Sequence, residues 1–398
     1  MPQSHALQER VASLELSRRL RHFALRVIPI LGGLHAYLGW RLLPPLQLSS
    51  GGMALGVLAL CLSTLLVPLG MLARFVPFLA ARPALADRVS WASSLAMGLF
   101  SSVLVLTLLR DMFLLLVGTP ALAGATAVVV LVAAALLTLI GFVNARRVAR
   151  VVRVDIPLAG LPAPLVGFTI AQISDIHVGP TIKGAYVSAI VDRVNSLGAD
   201  LIAITGDVVD GSVAQLAPHT APLARLAARH GAYVVTGNHE YYSGAAAWMR
   251  EFERLGLHGL MNRHVVIEHD GARLVLAGVT DYSAHAFDPA QRSDPVAALA
   301  GSPSGGLTKI PRILLAHQPR SAPAAEAAGF DLQLSGHTHG GQFWPWNFFV
   351  VLQQPFTAGL HRLGRLQVYT SRGTGYWGPP KRFGAPSEIT LLRLVAEQ

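Results

Sequence analysis

Five short polar motifs interrupt the C-terminal half of this 398-residue chain, each where an apolar run ends. They are Asp175-Ile176-His177, Gly206-Asp207, Gly237-Asn238-His239-Glu240, His317 and Gly336-His337-Thr338-His339. Carboxylate and imidazole together suit borderline divalent cations such as Mn2+, Fe2+ and Zn2+, and no soft thiolate accompanies them. Asp175 and His177 stand two apart, so in extended backbone both point the same way and can chelate one ion while Ile176 turns into the core. His337 and His339 share that spacing and can serve one ion or two. Glycines 206, 237 and 336 let the backbone turn sharply before each candidate ligand. A single histidine is more often packed or solvated than a ligand; the five motifs together fit a metal pair better than a nucleophilic triad.

In this order the motifs resemble the calcineurin-like metallophosphoesterase superfamily. The run Gly336-His337-Thr338-His339-Gly340-Gly341-Gln342 is similar to that of its YkuE-like branch. The resemblance covers residues 166 to 394. It implies that Asp175, His177 and His339 hold one metal ion, that Asn238, His317 and His337 hold the other, and that Asp207 bridges them. It implies that His239 binds no metal and stands near the scissile phosphate as a proton donor or charge stabiliser. The implied cofactors are two divalent ions, Mn, Fe or Zn, and the implied chemistry is two-metal hydrolysis. In such sites ions about 3.5 to 4 Å apart clamp the oxygens of an in-line displacement at phosphorus. Glu240 is expected to satisfy backbone donors at a helix start or to support a ligand from behind. His219, His230, His258, His264, His269, His285 and His361 lack such context and read as structural or surface residues, with His285 a candidate for the cleft wall.

The elements that must carry these residues alternate short apolar strands with helical stretches, as in an α/β protein. Strands are expected at 168–174, 201–205, 233–236, 273–277, 312–316, 332–335, 366–370 and 388–394, and helices at 185–196, 216–229, 245–255 and 322–328. In open α/β sheets the carboxyl ends of the strands converge on one edge. Residues separated by more than 160 positions can therefore meet there, which makes the expected fold a layered α/β metallophosphoesterase domain with its metal site at the strand ends. Two further segments stand out. Phe343–Phe349 is aromatic and follows the last histidine directly, which suits a core segment, a membrane-interface contact or a wall for an apolar substrate part. Gly373–Arg382 mixes aromatics and cations in a turn-rich loop.

The N-terminal half has another character. Four segments near 27–46, 52–73, 91–109 and 121–143 approach the roughly 20 apolar residues that cross a bilayer as a helix. Arg41 interrupts the first, and Arg110 with Asp111 is expected in a turn after the third. The expected organisation is a four-helix transmembrane region at 1–150, a Pro-punctuated linker at 151–165 and a metallophosphoesterase domain at 166–398, similar to transmembrane members of the family. Residues 1–150 hold 13 Lys and Arg against 4 Asp and Glu, and the remainder 19 against 18. The excess charge of the chain thus belongs to the membrane half, which excludes nucleic acid as the expected partner. Arginines at 10, 18, 19, 21 and 26, at 74, 82 and 88, and at 146, 147, 150 and 153 fall on one side of four spans. The positive-inside rule makes that side cytoplasmic, with the catalytic domain facing the cytoplasm from the inner membrane. The single cysteine, Cys61, permits no intrachain disulfide. The expected function is a membrane-anchored two-metal hydrolase of a phosphoester or pyrophosphate, with a lipid-linked substrate favoured and membrane lipids as partners. The alternative is a metal-binding membrane scaffold or transport-associated protein.

Overall fold

Apolar helices separated by proline and glycine make up the N-terminal part of the computed structural model, which describes residues 25–73, 76–303 and 309–397. The chain divides into two units, Met1–Leu139 and Ile140–Gln398. Among the described residues three helices are long and apolar enough to cross a membrane: α1 (Ser50–Met71), α2 (Pro83–Val117) and α3 (Ala123–Arg146). The Ser49 hydroxyl caps α1 by accepting from Gly52 N at 3.2 Å, and Gly118, at φ +63°, ends α2. Small side chains bring α1 and α2 together. Ser93 Oγ donates to the Val67 carbonyl at 2.9 Å, and a Cβ at Gly70 would collide with Ser93, the close approach on which membrane helices rely.

The expectation of four spans is corrected to three candidate spans among the described residues. The segment 27–46 is helical over 25–42 and then turns at Pro44–Leu46. Arg26, His35 and Arg41 make it less apolar than the three helices that qualify. Arg110 and Asp111 do not form a turn; they lie inside α2, which continues to Val117. Asp111 accepts from Arg41 Nε at 2.7 Å, Tyr37 Oη at 2.6 Å and Arg110 at 3.0 Å. The expected positive residues at 10, 18, 19, 21 and 74 lie outside the described residues.

The second unit holds twelve described strands: β1 (Arg150–Leu158), β2 (Thr169–Ile173), β3 (Leu201–Ile204), β4 (Ala232–Val234), β5 (His258–Gly259), β6 (Arg263–His269), β7 (Ala272–Gly278), β8 (Arg312–Leu315), β9 (Leu332–Ser335), β10 (Gly359–Leu363), β11 (Leu366–Thr370) and β12 (Glu388–Ala396). They form two six-stranded sheets, ordered β1-β12-β2-β3-β4-β5 and β10-β11-β9-β8-β7-β6. The stretch expected as a linker therefore contributes a strand, since β1 pairs in parallel with β12 from Arg150↔Glu388 to Leu158↔Ala396.

Period-two alternation sends the two faces of each central strand to different cores. Ile170, Leu201, Ala203 and Leu392 meet Leu276, Ile313, Leu315 and Leu334 between the sheets. Ala171, Ile173, Ile202 and Ile204 point the other way, onto the helices Gly184–Asn195 and Ala245–Arg254 through Val187, Ile190, Trp248 and Phe252. Leu314 and Val368 pack the second sheet against helix Ala322–Ala327. The result is a mixed α/β layering of helix, sheet, sheet and helix. Gln172 Nε2 donates to the Ser335 carbonyl at 2.9 Å, tying the carboxyl end of β2 to that of β9.

Candidate metal centre

Each of the five motifs begins at or just beyond the end of a strand. Asp175 and His177 follow β2, Asp207 follows β3, Asn238 and His239 follow β4, His317 follows β8, and His337 and His339 follow β9. The loops interlock through the backbone. Asp175 N donates to the Gly206 carbonyl at 3.0 Å, and His177 N donates to the Asp207 carbonyl at 3.1 Å. Asp175 accepts His337 N at 2.9 Å, and Asp207 accepts His239 N at 2.9 Å. Gly206 adopts φ +87°. Gly336 is needed for another reason than turning: a Cβ there would strike Ser174 Oγ and Asp175 Oδ2.

Asp175, His177, Asp207, His337 and His339 all have positive φ, between 51° and 71°. For side chains with a Cβ this left-handed region costs about 1–3 kcal/mol each and persists only where the surroundings over-determine it. Five such residues in one cluster mark a place where side-chain direction outweighs backbone ease.

The side chains form three groups, two made of expected ligands and a third of His177, Asp210 and His239. Asp175, His177 and His339 each present one ligand atom within 4.8 Å of the others, and so do Asp207, His317 and His337. In the first, His177 Nε2 faces His339 Nε2 at 3.0 Å, and His339 Nε2 lies 3.5 Å from Asp175 Oδ1. In the second, His317 Nε2 lies 3.1 Å from Asp207 Oδ2 and 3.2 Å from His337 Nδ1. Asp207 Oδ2 is also 3.9 Å from His177 Nε2, so this one oxygen stands near both groups. His317 Nδ1 donates to the Thr205 carbonyl at 2.8 Å, which leaves Nε2 as its inward atom.

Electrostatics in the site follow from burial. Burial pushes the Asp175 carboxyl up. Burial opposes ionisation of Asp207 too, but His317 and His239 hold it well below the usual carboxylate range. Burial and His317 together lower His337 to about 3, and burial with Arg382 drives His339 down, which favours the neutral form of both imidazoles. His317 is raised well above its usual value because Asp207 outweighs burial.

These residues fit a divalent centre on three observations of the side chains themselves. The Asn238 Oδ1 is buried without a hydrogen-bond partner, an orphaned acceptor that a cation would satisfy. Pairs of imidazole nitrogens face one another at hydrogen-bond distance. Both groups mix carboxylate with imidazole, as borderline cations prefer.

His239 stands apart from these two groups. Its Nδ1 lies 2.6 Å from Asp210 Oδ1, the same oxygen that His177 Nδ1 meets at 3.0 Å. Burial lowers its affinity for a proton, but Asp207 and Asp210 outweigh this and raise His239 to about 9. Trp377 and Tyr242 meet its ring edgewise, with centroids 5.7 Å and 5.3 Å away. Glu240 is fully buried and accepts from four backbone amides, Gly237 at 2.7 Å, Asp207 at 2.9 Å, Val208 at 2.7 Å and Val209 at 3.2 Å. It fixes the Asp207 loop by satisfying backbone donors at a helix start, one of the two roles expected of it.

Sequence reasoning missed Asp210 and Arg382. Asp210 stands three positions beyond Asp207 on the same loop, outside the five motifs. Arg382, 1% exposed, donates to His339 Nδ1 at 3.0 Å and to the His339 carbonyl at 2.9 Å; nothing in its local sequence announces that contact. In the aromatic segment Phe343 is buried, whereas Trp346, Phe348 and Phe349 are exposed. His285 is exposed and meets the Tyr282 carbonyl.

Residues 168–341 match the family model described as calcineurin-like phosphoesterase. A metallophosphoesterase from Aquifex aeolicus is 32% identical over 232 residues, which cover 56% of this chain and 84% of that one. The chain belongs to the calcineurin-like metallophosphoesterases. The metallophosphoesterase YkuE of Bacillus subtilis is 29% identical over 248 residues, covering 59% of this chain and 81% of the relative. A protein of Danio rerio named transmembrane protein with metallophosphoesterase domain is 38% identical over 275 residues, 67% of this chain and 62% of the relative. The chain thus spans about three fifths of the length of its transmembrane relative. This metallophosphoesterase carries N-terminal apolar helices, a mixed α/β domain with two sheets, and Asp/His clusters compatible with a divalent metal centre.

Proposed function

We propose that the chain is a membrane-anchored two-metal phosphoesterase of the YkuE-like kind, acting on a phosphoester or pyrophosphate bond of a lipid-linked substrate. Asp175, His177 and His339 would hold one cation, and Asn238, His317 and His337 the second, with Asp207 shared. The observation that carries this reading is the position of Asp207 Oδ2 beside imidazole nitrogens of both groups. Two divalent cations there would supply Lewis acidity and neutralise the charge of the phosphoryl oxygens.

The chain's own residues supply the rest. Asp210 ties down His239 Nδ1, leaving Nε2 to hold a proton toward the leaving oxygen, a task suited to a group kept protonated at neutral pH. The same Asp210 oxygen orients His177, so one carboxylate aligns a ligand and the proton donor together.

A lipid-linked substrate is supported by the apolar surface around this site. Tyr242, Phe287 and Trp377 are exposed, and Tyr242 and Trp377 touch His239. Trp346, Phe348 and Phe349 add exposed rings a few residues after His339. The test compares a small chromogenic phosphoester with a lipid-linked pyrophosphate in the presence of Mn2+. Trp344→Ala with Trp346→Ala is expected to lower hydrolysis of the lipid-linked substrate about tenfold while sparing the soluble ester. Equal loss of both activities would reduce the aromatic segment to a packing role.

A further inference from the structure

Directly after α3 the chain carries Arg147 and Arg150, both exposed, and neither side chain makes a hydrogen bond or ion pair among the described residues. They line a pocket of about 220 Å3 together with Asn144, Arg382, Gly384 and Ser387, and its lining contains three arginines and no carboxylate. The walls are held in place by other bonds. Asn144 Nδ2 donates to the Arg382 carbonyl at 3.2 Å, Arg382 N donates to the Gly141 carbonyl at 2.9 Å, and Arg150 N donates to the Ser387 carbonyl at 3.3 Å. Neighbouring Arg146 is already committed, to the Thr181 carbonyl at 3.0 Å and Tyr376 Oη at 3.1 Å. The Arg382 guanidinium is spent on His339 and on the carbonyls of Arg372 and Gly375, so it adds positive charge to the pocket without free donors.

Two unpaired guanidiniums in a preformed concavity with no acid call for an anion. A guanidinium offers parallel N–H donors that match phosphate oxygens in a fork, and it stays charged at every physiological pH. The position in the chain selects the source. Arg147 is the first residue after a helix long and apolar enough to cross a membrane, where side chains reach lipid headgroups. We propose that this pocket binds one anionic phosphate group, supplied by the headgroup of an acidic phospholipid. The pocket touches the candidate metal centre only through Arg382, whose guanidinium faces His339. None of its lining residues is a candidate metal ligand, and its occupant is a bound lipid rather than a molecule to be cleaved.

The test uses the full-length protein in detergent, with bound lipid read by native mass spectrometry. Phosphatidylglycerol and phosphatidylcholine are offered in equal amounts. The wild-type chain is expected to retain phosphatidylglycerol in preference, and Arg147→Gln with Arg150→Gln to lose that retention about thirtyfold, the product of two arginine–phosphate attractions at a membrane surface. Arg147→Lys with Arg150→Lys keeps the charge and is expected to restore part of it, which separates a binding role from a folding one. A second arm adds inorganic phosphate. If phosphate leaves the lipid in place, the headgroup is the source; if it displaces the lipid from the wild-type chain, the site takes the phosphate group from solution. Equal retention of phosphatidylglycerol by the wild-type, glutamine and lysine chains, or no preference over phosphatidylcholine in the wild type, would overturn the proposal.

Discussion

His317 shows what the cluster asks of a cation. Its Nδ1 hydrogen is given to the Thr205 carbonyl, so only a second proton or a metal ion can stand between Nε2 and Asp207 Oδ2, 3.1 Å away. Asp207 holds that proton tightly against the opposing effect of burial, and a divalent ion would take its place, which makes binding proton-coupled. Asp207 therefore matters more than any other single side chain. Asp207→Asn is expected to lose bound metal and essentially all turnover. His239→Ala is expected to keep both ions and lose about a hundredfold in kcat, within the usual range for a general acid. Metal analysis of the two purified variants checks this; an Asp207→Asn protein with two ions and near-normal turnover would refute the shared-ligand role. The five motifs were recognisable from residue type and spacing, because polar groups that end apolar strands are conspicuous; the roles of the seven candidate ligands and of His239 rested on the family resemblance. Asp210 and Arg382 were not recognisable, since they act through contacts to imidazoles rather than through a motif of their own.

The strands divide in the same way. All eight strands expected from apolar runs are present, and they are the interior strands of both sheets. The four that were not expected, β1, β5, β6 and β10, are the four sheet edges. Edge strands are half exposed and carry charge that discourages pairing with other chains, so their apolar alternation is weak; β6 reads Arg-His-Val-Val-Ile-Glu-His. The helix expected at 216–229 breaks instead into Val213–Thr220 and a tighter turn at Ala221–Arg225, with prolines at 218 and 222. The missed β1 has a consequence for dissecting the protein. A fragment beginning at Leu165 removes the partner of β12 and the fully buried Ile156, whose apolar contribution alone is about 1.5–3 kcal/mol. A fragment beginning at Val148 is expected to fold and to melt at a higher temperature than one beginning at Leu165. Calorimetry of the two decides it, and equal melting temperatures would show that β1 adds no stability.

Charge and topology belong to the full chain. Arg82 precedes α2 and Arg88 lies near its start, and Arg146 to Arg153 end and follow α3, so two spans separate these groups and return them to one side whatever the segment 25–42 does. The positive-inside rule predicts that side to be the cytoplasm, and we expect reporter fusions at residue 398 to be active only as cytoplasmic reporters; activity of an external reporter there would reverse the orientation. The parity of the spans was harder to read than their existence. Hydropathy finds long apolar helices, but it cannot foresee that Arg41 and Tyr37 would turn to Asp111. The claim on which the rest depends is that two cations share Asp207 in a hydrolytic site. Its most direct test strips the full-length protein with chelator, titrates it with Mn2+, and measures bound ions per chain alongside hydrolysis of a chromogenic phosphoester. The expected result is two ions per folded chain, with hydrolysis absent from the stripped protein and restored as the second ion binds. A folded chain that binds two ions and hydrolyses no phosphoester, or one that hydrolyses equally well after stripping, would contradict it.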